Sequence, residues 1–375
     1  MKVAYLSPLP PEASGVADYS ALLLPALQEH VEVEVVRARS RGRTEADIAL
    51  YHVGNDPEMH GWIVEELRRR PGVVVLHDVV LHHLVVGLTL TRGDKESYLE
   101  AVERDGGSEA RRLAERALAG LEQPLWESRV QKFPLLATVL DHATGVVVHS
   151  RHAEDRVRAS GYEGPVRRIA MPAWPFPPAA RAELPGEDFV VASLGKLNAA
   201  KRVPQLLQAF ARLREQVRAR LLLGEVDPRL NVDARLSALS VRRRQDVLEL
   251  GRLPEDELWA WLNRADVTVS LRWPTMGETS GIAVRALALG RPLVVSDVGW
   301  FSELPDSVAA KVAVDEWEVE LLAAVLELLA TDEALRERMG AAAREYAQSE
   351  HSLQQAVAAY VAVLEEARRA KPVPS

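Results

Sequence analysis

Residues 267–298 read VTVSLRWPTMGETSGIAVRALALGRPLVVSDV. Val267–Ser270 is an apolar, β-branched run of strand length. The loop after it holds Gly277, Glu278, Thr279, Ser280 and Gly281. An apolar helix begins near Gly281 and runs to Gly290, and Pro292–Ser296 reads as the next strand. A strand, a Gly/Ser/Thr loop and a helix N-terminus present free backbone N–H groups and the positive end of a helix dipole, which suits a phosphate. A carboxylate in the same loop, Glu278, accepts hydrogen bonds from hydroxyls. The ligand expected here is phosphorylated and rich in hydroxyls, as a nucleotide sugar is.

Outward from that stretch the same rhythm recurs. Towards the N-terminus, strands are expected at Phe189–Leu194, Ala219–Leu223 and Val247–Leu250, and towards the C-terminus at Ala309–Val312. Helices fall between them at Lys201–Gln216, Pro254–Asn263 and Glu316–Ala330. Asp332–Ala370 reads as one or two long helices with a break near Ser349–Ser352. An earlier series has strands at Val3–Leu6, Val31–Val36, Ile48–Val53, Val73–Leu76, Gly145–Val148 and Val166–Ile169. Its helices are Val16–Gln28, His60–Arg70 and Arg151–Ser160. Such alternation argues for parallel sheets covered on both faces. The segment Gly87–Leu136 breaks the rhythm and reads as inserted helices with a turn at Asp105-Gly106-Gly107-Ser108.

Between the two series stands Met171-Pro172-Ala173-Trp174-Pro175-Phe176-Pro177-Pro178. Four prolines in eight residues fit neither a helix interior nor a central strand, so an interdomain linker is expected over 171–188. The expected fold is α/β with two doubly wound domains. Residues 1–170, with the helical insertion 87–136, form the first. Residues 189–350 form the second, and 351–375 a terminal helix. In open sheets ligands bind beyond the carboxyl ends of the strands, so two such domains face to face place a site in a central cleft.

Composition narrows the function classes. The chain has 375 residues, too many for one typical core. Formal net charge is -8 and neither half is basic, so no nucleic-acid partner is expected. With no cysteine there is no disulfide, thiol nucleophile or cysteine metal site. The apolar run after Met1-Lys2 is too short for a signal peptide, and no stretch approaches a membrane span. A cytoplasmic protein is expected, with peripheral membrane contact left open.

Four motifs carry candidate chemistry. Ser7–Val16 is a Pro-rich loop after the first strand, where Gly15 lets backbone N–H groups approach a phosphate or sugar; a capped turn explains it equally. Leu76-His77-Asp78 closes the fourth strand, with His82-His83 beyond. His77 there can bond a sugar hydroxyl or a developing charge. The arrangement of these histidines does not suggest a metal site. His52, Asn55 and Asp56 close the third strand and either line the same cleft or cap and turn the chain. Finally Gly195-Lys196-Leu197-Asn198-Ala199-Ala200-Lys201-Arg202 follows the first strand of the second series. Two lysines five apart at a helix start can converge on a diphosphate. Only seven lysines occur in the chain, which makes two here notable.

Taken in order, the Pro/Gly loop, HD after strand four, VVVHS, GKLNAAKR, LGRLPEDEL, ADVTVSLR and ALALGRPLVVSDVG resemble the retaining GT-B glycosyltransferases of family GT4, across nearly the whole chain. The resemblance implies two Rossmann-like domains facing a central cleft, the C-terminal one for a nucleotide-diphosphate sugar and the N-terminal one for the acceptor. It implies that the last helix crosses back to the N-terminal domain. Lys196 and Lys201 fall on the family's diphosphate-gripping basic pair, His77 on its histidine near the donor sugar, and Gly15 on its phosphate-facing glycine. Thr279, Ser280 and Gly281 join the diphosphate set. Arg285 stands where the family carries a glutamate that holds the ribose hydroxyls, so ribose recognition departs from the pattern.

The function implied is transfer of a hexose to an acceptor hydroxyl with retention of anomeric configuration. Neither metal nor cofactor is expected, and no Asp-x-Asp occurs. His77 and Glu278 are the expected catalytic residues, with Arg285 at the donor ribose and His52, Asn55 and Asp78 on the acceptor side. The partners expected are a nucleotide sugar, UDP- or GDP-linked, and a carbohydrate, lipid or small-molecule acceptor. The alternatives are a sugar-nucleotide epimerase or phosphorylase on the same scaffold, or a binding protein whose donor site has decayed.

Overall fold

A computed structural model describes residues 1–38, 44–175, 181–239 and 246–370. The linker residues Phe176, Pro177 and Pro178 and the tail from Lys371 lie outside the described residues. The chain divides into two compact units. One comprises Met1–Met171, Met276–Thr279 and Leu353–Ser375; the other comprises Pro172–Thr275 and Ser280–Ser352.

The first unit is built on a parallel sheet of β1 (Lys2–Leu6), β2 (Glu32–Val36), β3 (Ile48–Val53), β4 (Gly72–Leu76), β5 (Ala143–Val148) and β6 (Val166–Arg168), in the order β2-β1-β3-β4-β5-β6. Every residue of β3 and β4 is buried, as continuous apolar runs covered on both faces require. Helices α1 (Gly15–Gln28), α2 (Pro57–Arg69) and α3 (His82–Leu88) follow β1, β3 and β4. Asp56 caps α2 by accepting from the N–H groups of Glu58 and Met59.

The insertion holds α4 (Lys95–Leu118) and α5 (Leu125–Ser128); α6 (Ala137–Leu140) follows it, and α7 (Arg151–Ala159) comes after β5. The turn expected at Asp105–Ser108 falls at Gly107, which leaves helical geometry at φ 68 and ψ -170 and kinks α4 into two helical halves. Packing holds the kink in place. Gly106 lies so close to Phe133 that an added Cβ would sit 2.5 Å from the ring, and Val102, Ala110, Ala114 and Phe133 share one apolar cluster. The two halves of α4 are thus fixed to the same core.

The second unit carries β7 (Phe189–Leu197), β8 (Ala219–Val226), β9 (Val247–Glu249), β10 (Val267–Ser270), β11 (Leu293–Ser296) and β12 (Ala309–Val312). They form a parallel sheet in the order β12-β11-β10-β7-β8-β9. Its helices are α8 (Val203–Gln216), α9 (Val232–Ala238), α10 (Glu255–Arg264), α11 (Gly281–Leu289), α12 (Glu318–Thr331) and α13 (Glu333–Glu350). The expected start of α8 at Lys201 moves to Val203. Ala199–Lys201 is a 3-10 turn, Arg202 takes a left-handed φ of 56, and Pro204 sits in the first helical turn. Proline favours that place because its missing N–H is unpaired there anyway.

The C-terminal segment breaks between Glu350 and Leu353, giving a final helix α14 (Leu353–Arg369) that belongs to the first unit. It is tied to α1 by a buried hydroxyl pair, Tyr19 Oη to Tyr360 Oη at 2.7 Å, and Arg167 donates to Glu366 at 2.9 Å. Among the described residues no helix is long and apolar enough to cross a membrane.

Candidate functional site

In the second sheet the strand order reverses between β7 and β10. The loops leaving neighbouring strands at such a point part to opposite faces and open a crevice at their carboxyl ends. The loop after β7 contains Lys201, and the loop after β10 contains Arg272. They are joined where the Trp273 N–H donates to the Ala200 carbonyl at 2.7 Å. Burial pushes the Lys201 ammonium well below its ordinary 10.5, and the Arg272 charge pushes it further the same way. Among the described residues no carboxylate forms an ion pair with Lys201. Its neighbour contrasts with it: Arg202 Nε donates at 3.0 Å to Glu318, which is only 2% exposed. Lys196 has different surroundings, being exposed on β7 and acting on Asp227, which it helps hold below the usual carboxylate range behind the larger effect of Arg229. The two lysines of the motif therefore meet different neighbours.

The other side of the crevice is the start of α11. Ser280 caps it, its hydroxyl accepting from the Ala283 N–H at 3.3 Å. A Cβ on Gly281 would lie 3.1 Å from Arg285 Nη1 and 3.4 Å from the Trp174 ring, so glycine leaves room chiefly for the Arg285 guanidinium. Arg285, one turn on, is 3% exposed. Its guanidinium stacks on Trp174 at 3.6 Å and donates to Glu255 from Nε at 2.9 Å and Nη2 at 3.0 Å. Glu255 also accepts from Trp259 Nε1 at 2.9 Å. The residue expected at the donor ribose is therefore engaged inside the unit, where it fixes one carboxylate and one indole. Sequence reasoning missed Trp174 and Glu255. The exchange of charge at 285 was the available signal, since a buried guanidinium requires an anion nearby.

In the first sheet the order reverses between β1 and β3. Gly15 starts α1 after the β1 loop, and a Cβ there would meet nothing within 4 Å, so no contact within the chain demands glycine. His52, near the end of β3, and His77, just past β4, are bonded Nδ1 to Nε2 at 3.0 Å. His149 follows β5, its ring 5.1 Å from His77, and Tyr19 packs edge-on to His77 at 4.9 Å. Desolvation drives both His52 and His77 well below the ordinary histidine value, and neighbouring imidazoles add to it. The rings stack rather than surround a common point, and among the described residues no three His, Asp or Glu side chains are placed to hold a metal. His149 escaped selection although the rule that picked His77, a polar group at a strand's carboxyl end, applies to it equally.

Asn55 and Asp78 are engaged within the unit, Asn55 Nδ2 meeting His83 Nδ1 at 3.0 Å. Asp78 accepts from the Asn55 N–H at 2.7 Å, and Asn55 Oδ1 accepts from His83 N and Leu84 N at the start of α3. The loop Met276–Thr279 counts with this unit. Its Met276 carbonyl accepts from the Val79 N–H at 2.7 Å. Gly277, at φ 85, lies so close that a Cβ would fall 2.2 Å from Val79. Glu278 Oε2 accepts from the Met276 N–H at 2.7 Å, which folds the carboxylate back over its own loop. The Thr279 hydroxyl is buried with no partner.

This arrangement can hold an anion beside a buried cation in one unit and bond neutral polar groups in the other. Residues 179–346 match the family model described as Glycosyl transferases group 1. That stretch, a little under half of the chain, is similar to the family. The D-inositol 3-phosphate glycosyltransferase of Thermobifida fusca is 30% identical over 216 residues, which cover 52% of this chain and 49% of that one. The chain thus spans about half the length of this curated relative. Among solved structures, a sucrose-phosphate synthase of Thermosynechococcus elongatus superposes with a TM-score of 0.67 at 17% identity, over 98% of both chains. Anabaena HepE, solved with UDP and glucose, gives 0.66 at 14%, over 98% of this chain and 100% of that one. The common property is the GT-B fold, and the group 1 glycosyl transferase segment is the half that holds Lys196, Lys201, Ser280, Gly281 and Arg285.

Proposed function

We propose that this chain is a retaining glycosyltransferase that moves a hexose from a nucleoside-diphosphate sugar to an acceptor hydroxyl without a metal ion. The observation that carries the reading is Lys201. The half-buried Lys201 amine, desolvated beside Arg272 and with no carboxylate paired to it among the described residues, has its charged form disfavoured until an anion arrives. A diphosphate supplies that anion, and in the transition state its departure from the sugar adds negative charge where Lys201 stands. The group 1 family match over the same residues supports the assignment.

In this reading Lys201 and Arg272 take up the charge of the leaving diphosphate, with backbone N–H groups at the start of α11. Gly15 leaves its backbone open to the donor. His77 meets the sugar as a neutral ring, because its protonated form is disfavoured. Glu278, held by its own loop, orients sugar hydroxyls. Lys196 contributes a second, more distant positive charge. The acceptor is a carbohydrate, a lipid or a small molecule with a free hydroxyl. No side chain is assigned as nucleophile.

One observation favours a second reading, a protein that binds nucleotide sugars without turning them over: Arg285 is locked between Glu255 and Trp174. Calorimetric titration with UDP, GDP, ADP and their sugar conjugates, without added metal, separates the two. The transferase reading expects saturable binding of one nucleotide and slow release of its sugar to water. Binding with no release of sugar, with or without candidate acceptors, favours the second reading. No binding at all overturns both.

A further inference from the structure

The buried histidines of the first unit carry their protons at positions the structure can assign. A backbone carbonyl only accepts hydrogen bonds, so a ring nitrogen facing one must bear the proton. His60 Nδ1 faces the His52 carbonyl at 3.1 Å, His82 Nδ1 the Phe133 carbonyl at 2.8 Å, and His149 Nδ1 the Ile169 carbonyl at 2.9 Å. All three are Nδ1–H tautomers. The pair His52 and His77 faces no carbonyl with its ring nitrogens, so the single 3.0 Å contact between them admits two arrangements.

His52 Nε2 decides between them. His52 is fully buried, and this nitrogen has no hydrogen-bond partner. If His77 donated from Nε2, His52 would have to carry its own proton on Nε2, leaving a donor buried with nothing to receive it. If His52 donates from Nδ1, the orphan is a lone pair. Orphaned buried N–H groups are rarer than under-satisfied acceptors. We propose that His52 is a positioning residue: its Nδ1–H donates to His77 Nε2 and fixes His77 as the neutral Nδ1–H tautomer.

The consequence lies at the other nitrogen of His77. Among the described residues nothing bonds His77 Nδ1, and it is not sealed off as His52 Nε2 is. His77 therefore presents a hydrogen-bond donor and not a basic lone pair. The groups around the pair are imidazoles and phenols: His60 and His149, with Tyr5 and Tyr19 against the rings. That the donor serves a sugar oxygen rests on the transferase reading; the tautomer does not.

The first test needs no substrate. In the free protein at neutral pH, 15N correlation spectra should show His77 protonated at Nδ1 and bare at Nε2. His52→Phe should move His77 to the Nε2–H tautomer that free imidazole prefers. His52→Asn, whose amide can stand in for the Nδ1–H donor, should keep the original tautomer. A wild-type His77 protonated at Nε2 overturns the proposal, and this reading stands even if His52→Phe fails to fold. In glycosyl transfer, His52→Phe should lower kcat about tenfold with the KM for the nucleotide sugar little changed, and His52→Asn should recover most of it. An unchanged kcat in folded His52→Phe overturns the positioning role. If no nucleotide sugar is turned over while His77 is Nδ1–H, the transferase reading fails and the tautomer assignment stands.

Discussion

The carboxyl end of the first sheet and that of the second solve opposite electrostatic problems. Around His77 the buried groups rest in uncharged forms: desolvation drives His52 and His77 down and Tyr19 and Tyr360 up. The polar groups of that cluster bond mainly to one another, with Nε2 of His52 and Nε2 of His149 buried outside any hydrogen bond among the described residues. Around Lys201 the chain sets two half-buried basic side chains, Lys201 and Arg272, near each other, and among the described residues no carboxylate pairs with Lys201. The contrast teaches which half asks for a ligand. A neutral cluster can position a substrate it does not need, whereas an unpaired cation gains stability from an anion.

The largest effect that separates the two ends is acid sensitivity. His60 and His82 are each pushed down to about 4, with burial the main cause. Between that value and 6.5 the unfolded chain binds more protons than the folded one. Stability is therefore complete above pH 6.5 and is lost as the pH falls towards about 4, by roughly 3 kcal/mol for each histidine. Hydrogen exchange at pH 5 should show the first unit opening more readily than at pH 7. Equal protection at both pH values would mean these histidines are not buried neutral.

Next is Lys201→Ala. Losing one charge-assisted hydrogen bond, about 1.5–3 kcal/mol, should weaken nucleoside-diphosphate binding by about 10- to 100-fold. The melting temperature should hold or rise, because a desolvated, unpaired amine is removed. A parallel fall in stability would reverse the contrast, making Lys201 part of the scaffold.

Arg285→Ala tests the engaged cation of the same unit. Removing the stack on Trp174 and the pair with half-exposed Glu255 should destabilise the second unit by about 1–3 kcal/mol in denaturant unfolding. A neutral result would free Arg285 for a ligand role.

The smallest effect is in protons. A bound diphosphate favours the charged form of Lys201, so binding should take up a proton at pH values between its shifted value and its value in the complex. Affinity should fall as pH rises through that range, below the ordinary lysine 10.5. Titration calorimetry in buffers of different ionisation enthalpy reads the uptake directly; none at any pH would mean Lys201 is already charged in the free protein.

Much of the fold was legible because both sheets are parallel and covered on both faces. Their strands are short apolar or β-branched runs such as Val73–Leu76 and Val267–Ser270, too short for helices and set off by turn residues. The helix break before Leu353 was legible too. The turn expected at Asp105–Ser108 is present as the kink at Gly107, at a positive φ that glycine permits, while the helical halves on either side pack on one core with Phe133. The start of α8 was misplaced because a 3-10 turn and a left-handed Arg202 leave no trace in hydrophobic period.

The candidate site divides in the same way. His77, Lys201, Glu278 and Ser280 were selected because each follows a strand, and strand ends are written locally. Their partners are not. Arg272 beside Lys201 and Trp174 against Arg285 are separated from them by 71 and 111 positions (272 − 201 and 285 − 174). His52 and His77 meet because β3 and β4 are neighbours in the sheet. The sequence alone determined which residues stand at the carboxyl ends of the strands, since alternation and strand length depend on near neighbours. Only the tertiary structure decided which of them are charged, paired or sealed from water, because desolvation and pairing depend on what distant segments bring against each side chain.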